Sequence, residues 1–126
     1  MKLTSEVFGK YPEVRIGVIV TNSVENGKPD EEIESLLRNA KDSVKRNFDA
    51  DSISDHPSIS SWRKIYSSFG SKPSDYRSSV EALVRSVLKG RDIPHINKTV
   101  DLYNFISLIF VIPAGGVDLD KIEGNI

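Results

Sequence analysis

The chain has 126 residues and a mass of 14.0 kDa, with 38% apolar and 28% charged residues. That composition fits one globular domain, and it is too apolar for a disordered chain. Seventeen Lys and Arg against eighteen Asp and Glu leave a net charge of −1, which excludes a strongly basic nucleic-acid domain but not a local basic patch. No Cys and only two histidines, His56 and His95, are present, so disulfides, thiolate chemistry and a multi-His zinc centre are excluded. No metal or cofactor is expected. The start MKLTSEVFGKYPEVR carries Glu6 and Glu13 and has no apolar core, so it does not read as a signal peptide. The longest apolar stretch, Phe105 to Ala114, is interrupted by Ser107 and Pro113 and is too short to span a bilayer. The expectation is a cytoplasmic protein without a membrane partner.

Val14 to Val20 is rich in β-branched residues and ends at a turn-like Glu25-Asn26-Gly27. It predicts a strand. After Pro29, the acids Asp30, Glu31 and Glu32 precede Ile33, Leu36, Leu37, Ala40 and Val44, with Lys41, Lys45 and Arg46 near the far end. Apolar spacing of three and four with charges that suit the dipole predicts a helix over residues 30–47. Trp62, Ile65, Tyr66 and Phe69 predict a shorter helix stopped by Gly70. Tyr76, Val80, Leu83, Val84, Val87 and Leu88 predict another, closed by Gly90 and starting at Ser74 or Ser78. Ser78 and Glu81 fit a capping box. Arg77, Glu81 and Arg85 lie four apart, a surface ladder worth a few tenths of a kcal/mol per pair. Residues 98–112 predict a buried helix from about Thr99, with a strand over Leu108–Ile112 as the alternative. Val117 to Ile126 reads as the approach to a further strand.

Two features point to function. Between Ser61 and Arg91 stand seven bases (Arg63, Lys64, Lys72, Arg77, Arg85, Lys89 and Arg91) and two acids, Asp75 and Glu81. This local charge of +5 is either a solvated helical surface or a contact surface for phosphates. The second feature is the stripe of Asp101, Asn104 and Ser107, three apart on an otherwise apolar helix. Buried polar groups need partners, at a cost of about 1–3 kcal/mol when left without. Those partners lie either in the protein or in a ligand. Gly115-Gly116 after Pro113 permits positive φ and close backbone approach, and free N–H groups there could face an anion.

The run Trp62-Arg63, Tyr66, Phe69-Gly70, Lys72-Pro73, Tyr76-Arg77-Ser78-Ser79 and Glu81-Ala82-Leu83, followed by Pro94, Ile96-Asn97, Val100-Asp101-Leu102-Tyr103-Asn104 and Pro113-Ala114-Gly115-Gly116-Val117-Asp118, resembles a small free-standing family. That family is related to the editing domain of the phenylalanyl-tRNA synthetase β subunit, the tRNA-binding B-three/B-four domain. The resemblance covers about residues 56–126. It implies an α/β fold with helices packed on a mixed sheet, with α+β as the alternative, tRNA or other RNA as partner, and hydrolysis of mischarged aminoacyl-tRNA. It assigns Asn104, Gly115 and Gly116 to catalysis, and Asp101, Tyr103, Ser107 and Asp118 to the substrate pocket. The seven bases named above become RNA contacts. Tyr103 stands where the synthetase domain has Thr, and Gly115 where it has His. The alternative is a non-catalytic domain for a small molecule or a protein that kept the fold and lost the chemistry. A further option is an incomplete domain that self-associates through an exposed sheet edge.

Overall fold

The computed structural model describes residues 5–124. Two compact units form: residues 26–116, and a smaller one made of the segments on either side. Among the described residues there is no β-strand. The expected helices on a mixed sheet are therefore replaced by an all-helical arrangement, and the sheet edge invoked for self-association does not exist there.

In the smaller unit, α1 spans Ser5–Lys10 and a 3₁₀ turn spans Leu119–Lys121, where Asp118 accepts a hydrogen bond from the Asp120 N–H at 3.1 Å. The predicted strand Val14–Val20 is irregular, and Ile19 is 91% exposed. Its β-branched residues state a local preference for extended backbone, but a strand needs a partner to take its hydrogen bonds. The stretch expected to approach another strand holds only the 3₁₀ turn; its last residues, Asn125 and Ile126, lie outside the described residues.

The larger unit contains α2 (Glu31–Asn47), a 3₁₀ turn (Ile53–Asp55), α3 (Pro57–Ser68), α4 (Ser79–Leu88) and α5 (Lys98–Phe110). Asp30 caps α2 by accepting from the Ile33 N–H at 3.2 Å, and Leu37, Ala40 and Val44 bury its apolar face. Ser78 caps α4 by accepting from the Glu81 N–H at 3.4 Å, so α4 starts there and not at Ser74. Val80, Val84 and Val87 point inward. Asn97 caps α5 by accepting from the Val100 N–H at 2.9 Å. Leu108 is buried from within α5, which excludes the strand alternative. α5 packs chiefly on α2, and α4 touches both. Ile53, Ile59, Ile93 and Val111 complete the core, with Phe48, Leu83, Leu88 and Phe105 at its margin.

The start of α5 is stitched to the start of α2. The Lys98 N–H donates to the Gly27 carbonyl at 3.1 Å, the Thr99 N–H to Asn26 Oδ1 at 3.1 Å, and Lys98 Nζ to Asp30 at 2.9 Å. The hydrogen bond from Lys98 and the Ile33 N–H hold the Asp30 carboxyl below its ordinary pKa. Lys41 on α2 does the same for Asp92, at 3.0 Å, in the loop before α5.

α3 and α4 end alike. Gly70 and Gly90 take φ values of 78° and 70°, and the N–H groups of Ser71 and Arg91 reach back to the Tyr66 and Ser86 carbonyls. Only glycine enters that region without strain. Nothing crowds a Cβ at Gly90, so Gly90→Ala is expected to cost only the backbone strain, about 1 kcal/mol. Urea unfolding checks it, and an unchanged midpoint refutes it.

α5 ends differently. Val111 is a β-branched residue with φ 53° and ψ 46°, and it is buried. This left-handed joint costs roughly 1–2 kcal/mol. It stands between α5 and the Pro113–Gly116 segment, whose glycines return to the side of α5.

Candidate functional site

A cavity of about 460 Å³ opens in the larger unit. One wall is α5, with Tyr103, Asn104 and Ser107. A second is α4, with Ser79, Ala82, Leu83 and Ser86. Ala114, Gly115 and Gly116 close the third side. Asn104 and Ser107 of the polar stripe thus face one hollow with the double-glycine bend, which begins 11 residues beyond Asn104 in the chain. The Asn104 amide is half-buried and has no hydrogen bond within the described residues. The Gly115 and Gly116 N–H groups are likewise unengaged there. Neither glycine has positive φ. Gly116 lies close to the Tyr103 ring: an added Cβ would sit 3.7 Å from it, an ordinary contact. No wall residue carries a carboxylate or an imidazole, so the cavity offers hydroxyls, an amide, backbone N–H groups and one aromatic ring.

Behind the same edge of α4 lies a second hollow of about 330 Å³, lined by Asp75, Arg77, Ala82, Arg85, Ser86, Lys89 and Arg91. Ala82 and Ser86, one helical turn apart, belong to both walls. A neutral cavity and a basic groove are therefore neighbours across one ridge. Lys89 and Arg91 flank Gly90, and its left-handed turn lets both cations line the groove.

The seven bases have unequal situations. Arg63 Nη1 and Arg85 Nε donate to Glu81 Oε1 at 2.8 and 2.9 Å, and Arg77 Nε stands 3.8 Å from it. Arg85 also donates to the Ala50 carbonyl at 2.9 Å and to Ser54 Oγ at 2.7 Å. Glu81 is fully buried, so the expected surface ladder is an interior junction of α3, α4 and the turn at residues 50–54. Sequence spacing shows Arg77 and Arg85 but not Arg63, which arrives from α3. Lys64, Lys72, Lys89 and Arg91 form no ion pair among the described residues.

Asp101 and Asp118 do not line the cavity. Asp118 belongs to the smaller unit. Asp101 is fully buried, with Oδ2 hydrogen-bonded to Nδ1 of His95 and Oδ1 without a partner. Histidine in a Pro-flanked loop looks like a surface residue; the available signal was the apolar setting of Asp101, which demands a donor close by. Among the described residues no cluster of side chains is placed to hold a metal, and no helix is long and apolar enough to cross a membrane.

The family model of the B3/4 domain matches residues 61–126, just over half of the chain. The chain belongs to the B3/4 domain family. No curated protein and no solved structure matches it. As a B3/4 domain it is like that of the phenylalanyl-tRNA synthetase β subunit. The matched region contributes α4, α5 and the Pro113–Gly116 segment, and with them every residue of the B3/4 cavity wall.

Proposed function

We propose that this B3/4 domain binds the aminoacylated 3′ end of a tRNA or a similar RNA end. The observation that supports it is the shared ridge: the terminal nucleoside and its ester occupy the neutral cavity, while the preceding phosphates meet Arg77, Lys89 and Arg91 beyond Ala82 and Ser86. Lys64 and Lys72 extend the positive field along the same part of the chain, with Arg63 and Arg85 as charges held in place by Glu81.

Hydrolysis at this site relies on positioning. Water attacks the ester carbonyl, and the Gly115 and Gly116 N–H groups face the developing oxyanion. Asn104 orients water or ester, and the ribose hydroxyl leaves with a proton taken from solvent. The wall carries no carboxylate or imidazole, which favours a second reading in which the domain binds the RNA end without turnover.

Titration of labelled tRNA from low to moderate salt tests binding. Three phosphate contacts give a slope of log K against log salt of roughly −2 to −3. Ala82 is exposed on the ridge, so Ala82→Phe obstructs both hollows without overpacking the core. It is expected to weaken binding at least about tenfold with an unchanged melting temperature. No binding, or a flat salt slope, overturns the reading. Mischarged tRNA incubated with excess protein then separates the two versions: deacylation lost in Asn104→Ala supports turnover, and no deacylation supports binding alone.

A further inference from the structure

We propose that the cavity and the groove together take a free nucleoside 5′-polyphosphate, which competes with the RNA end; the competition, though not the binding, rests on the function proposed above. The charge count carries it. A phosphodiester link brings one negative charge. The groove gathers Arg77, Arg85, Lys89 and Arg91 against a single wall carboxylate, Asp75, which already accepts from Ser74 Oγ at 3.0 Å. Glu81 offsets one guanidinium from the helix interior. The surplus of two positive charges exceeds what one phosphodiester needs and suits the clustered charge of a di- or triphosphate, which charge-assisted hydrogen bonds from Arg and Lys recognise.

Donor geometry agrees. Arg85 spends Nε, Nη1 and Nη2 on Glu81, Ala50 and Ser54. Its charge is thereby fixed at the groove before any ligand arrives, which lowers the ordering cost of binding. Lys89 and Arg91 keep all their donors for phosphate oxygens, and Arg77, whose Nε lies 3.8 Å from Glu81, keeps its two Nη groups for them. Across the ridge, the hydroxyl of Ser86 meets the ribose. The Tyr103 ring offers a face to the base, and the Asn104 amide offers it both a donor and an acceptor. Volumes of about 460 and 330 Å³ hold a nucleoside and a short phosphate chain respectively.

Calorimetry with ATP, ADP, AMP, adenosine and inorganic tripolyphosphate in EDTA tests this. Affinity is expected to fall in the order ATP, ADP, AMP, adenosine, with tripolyphosphate at least about tenfold weaker than ATP. Lys89→Gln with Arg91→Gln weakens ATP by roughly tenfold or more at an unchanged melting temperature. Tyr103→Ala weakens ATP but not tripolyphosphate. Tripolyphosphate binding as tightly as ATP, or ATP no tighter than adenosine, overturns the proposal. Displacement of labelled tRNA by ATP completes the test. Bound tRNA that millimolar ATP does not displace defeats the proposal and leaves the RNA function standing; ATP binding without any tRNA binding does the reverse.

Discussion

Glu81→Ala is expected to lower the stability of the B3/4 domain by about 3 kcal/mol. Glu81 is fully buried, and its Oε1 accepts from both Arg63 and Arg85. Side chains of Arg63 and Arg85 are only 28% and 19% exposed. Removing the carboxylate leaves two half-buried guanidiniums side by side, with Arg77 close behind. Each then loses a charged acceptor while keeping its desolvation cost. The same change removes a polar tie between α3 and α4, because Arg63 reaches Glu81 from the middle of α3, and leaves Ile59 in the core to hold the two together. Melting temperature should fall by roughly 10 °C. Glu81→Gln keeps the shape and one acceptor, and should lose about half as much. Urea unfolding of both variants and of the Glu81→Ala, Arg63→Ala pair checks the account. The pair should cost less than the sum of its parts; strict additivity, or an Ala variant within about 0.5 kcal/mol of wild type, refutes it.

His95→Ala is expected to cost about 2–3 kcal/mol. Asp101 Oδ1 already lacks a partner, so the imidazole is what compensates the buried carboxylate. Without it, the fully enclosed carboxyl in the first turn of α5 loses the partner of its Oδ2 as well. The double variant His95→Ala, Asp101→Leu removes the unpartnered polar group and should regain most of the loss. Unfolding free energies of the single and double variants decide it; a double variant no better than the single one sinks the assignment.

The helices were legible because their spacing is local. Ile33 to Val44 and Val80 to Val87 repeat every three or four residues, and Asp30, Ser78, Gly70 and Gly90 punctuate them. Val14 to Val20 misled for the opposite reason: β-branching records a preference whose realisation depends on a neighbouring strand, and none lies among the described residues. The α/β architecture that came with the resemblance met the same obstacle. Asn104 and the double glycine could be singled out because an amide in an apolar helix and a glycine pair after Pro113 are conspicuous in one dimension. Glu81 was hidden, since a charged residue four places from two arginines looks like a solvent-facing ladder until Arg63, 18 residues back, is seen to join it. The pairing of His95 with Asp101 was hidden by the loop between them. That cavity and groove share Ala82 and Ser86 is a property of how α4 faces α5, and no spacing encodes it.

Val111 carries a last implication. Burial of its methyl groups returns about 1.5–2 kcal/mol, nearly the amount that its left-handed backbone withholds. The joint at the end of α5 is therefore close to energetically neutral, and the arm bearing Gly115 and Gly116 is aimed by it without being clamped. Substituting glycine there trades one quantity for the other. The change should register in the spacing between that arm and the Tyr103 ring, with little change in the resistance of the helices to denaturant.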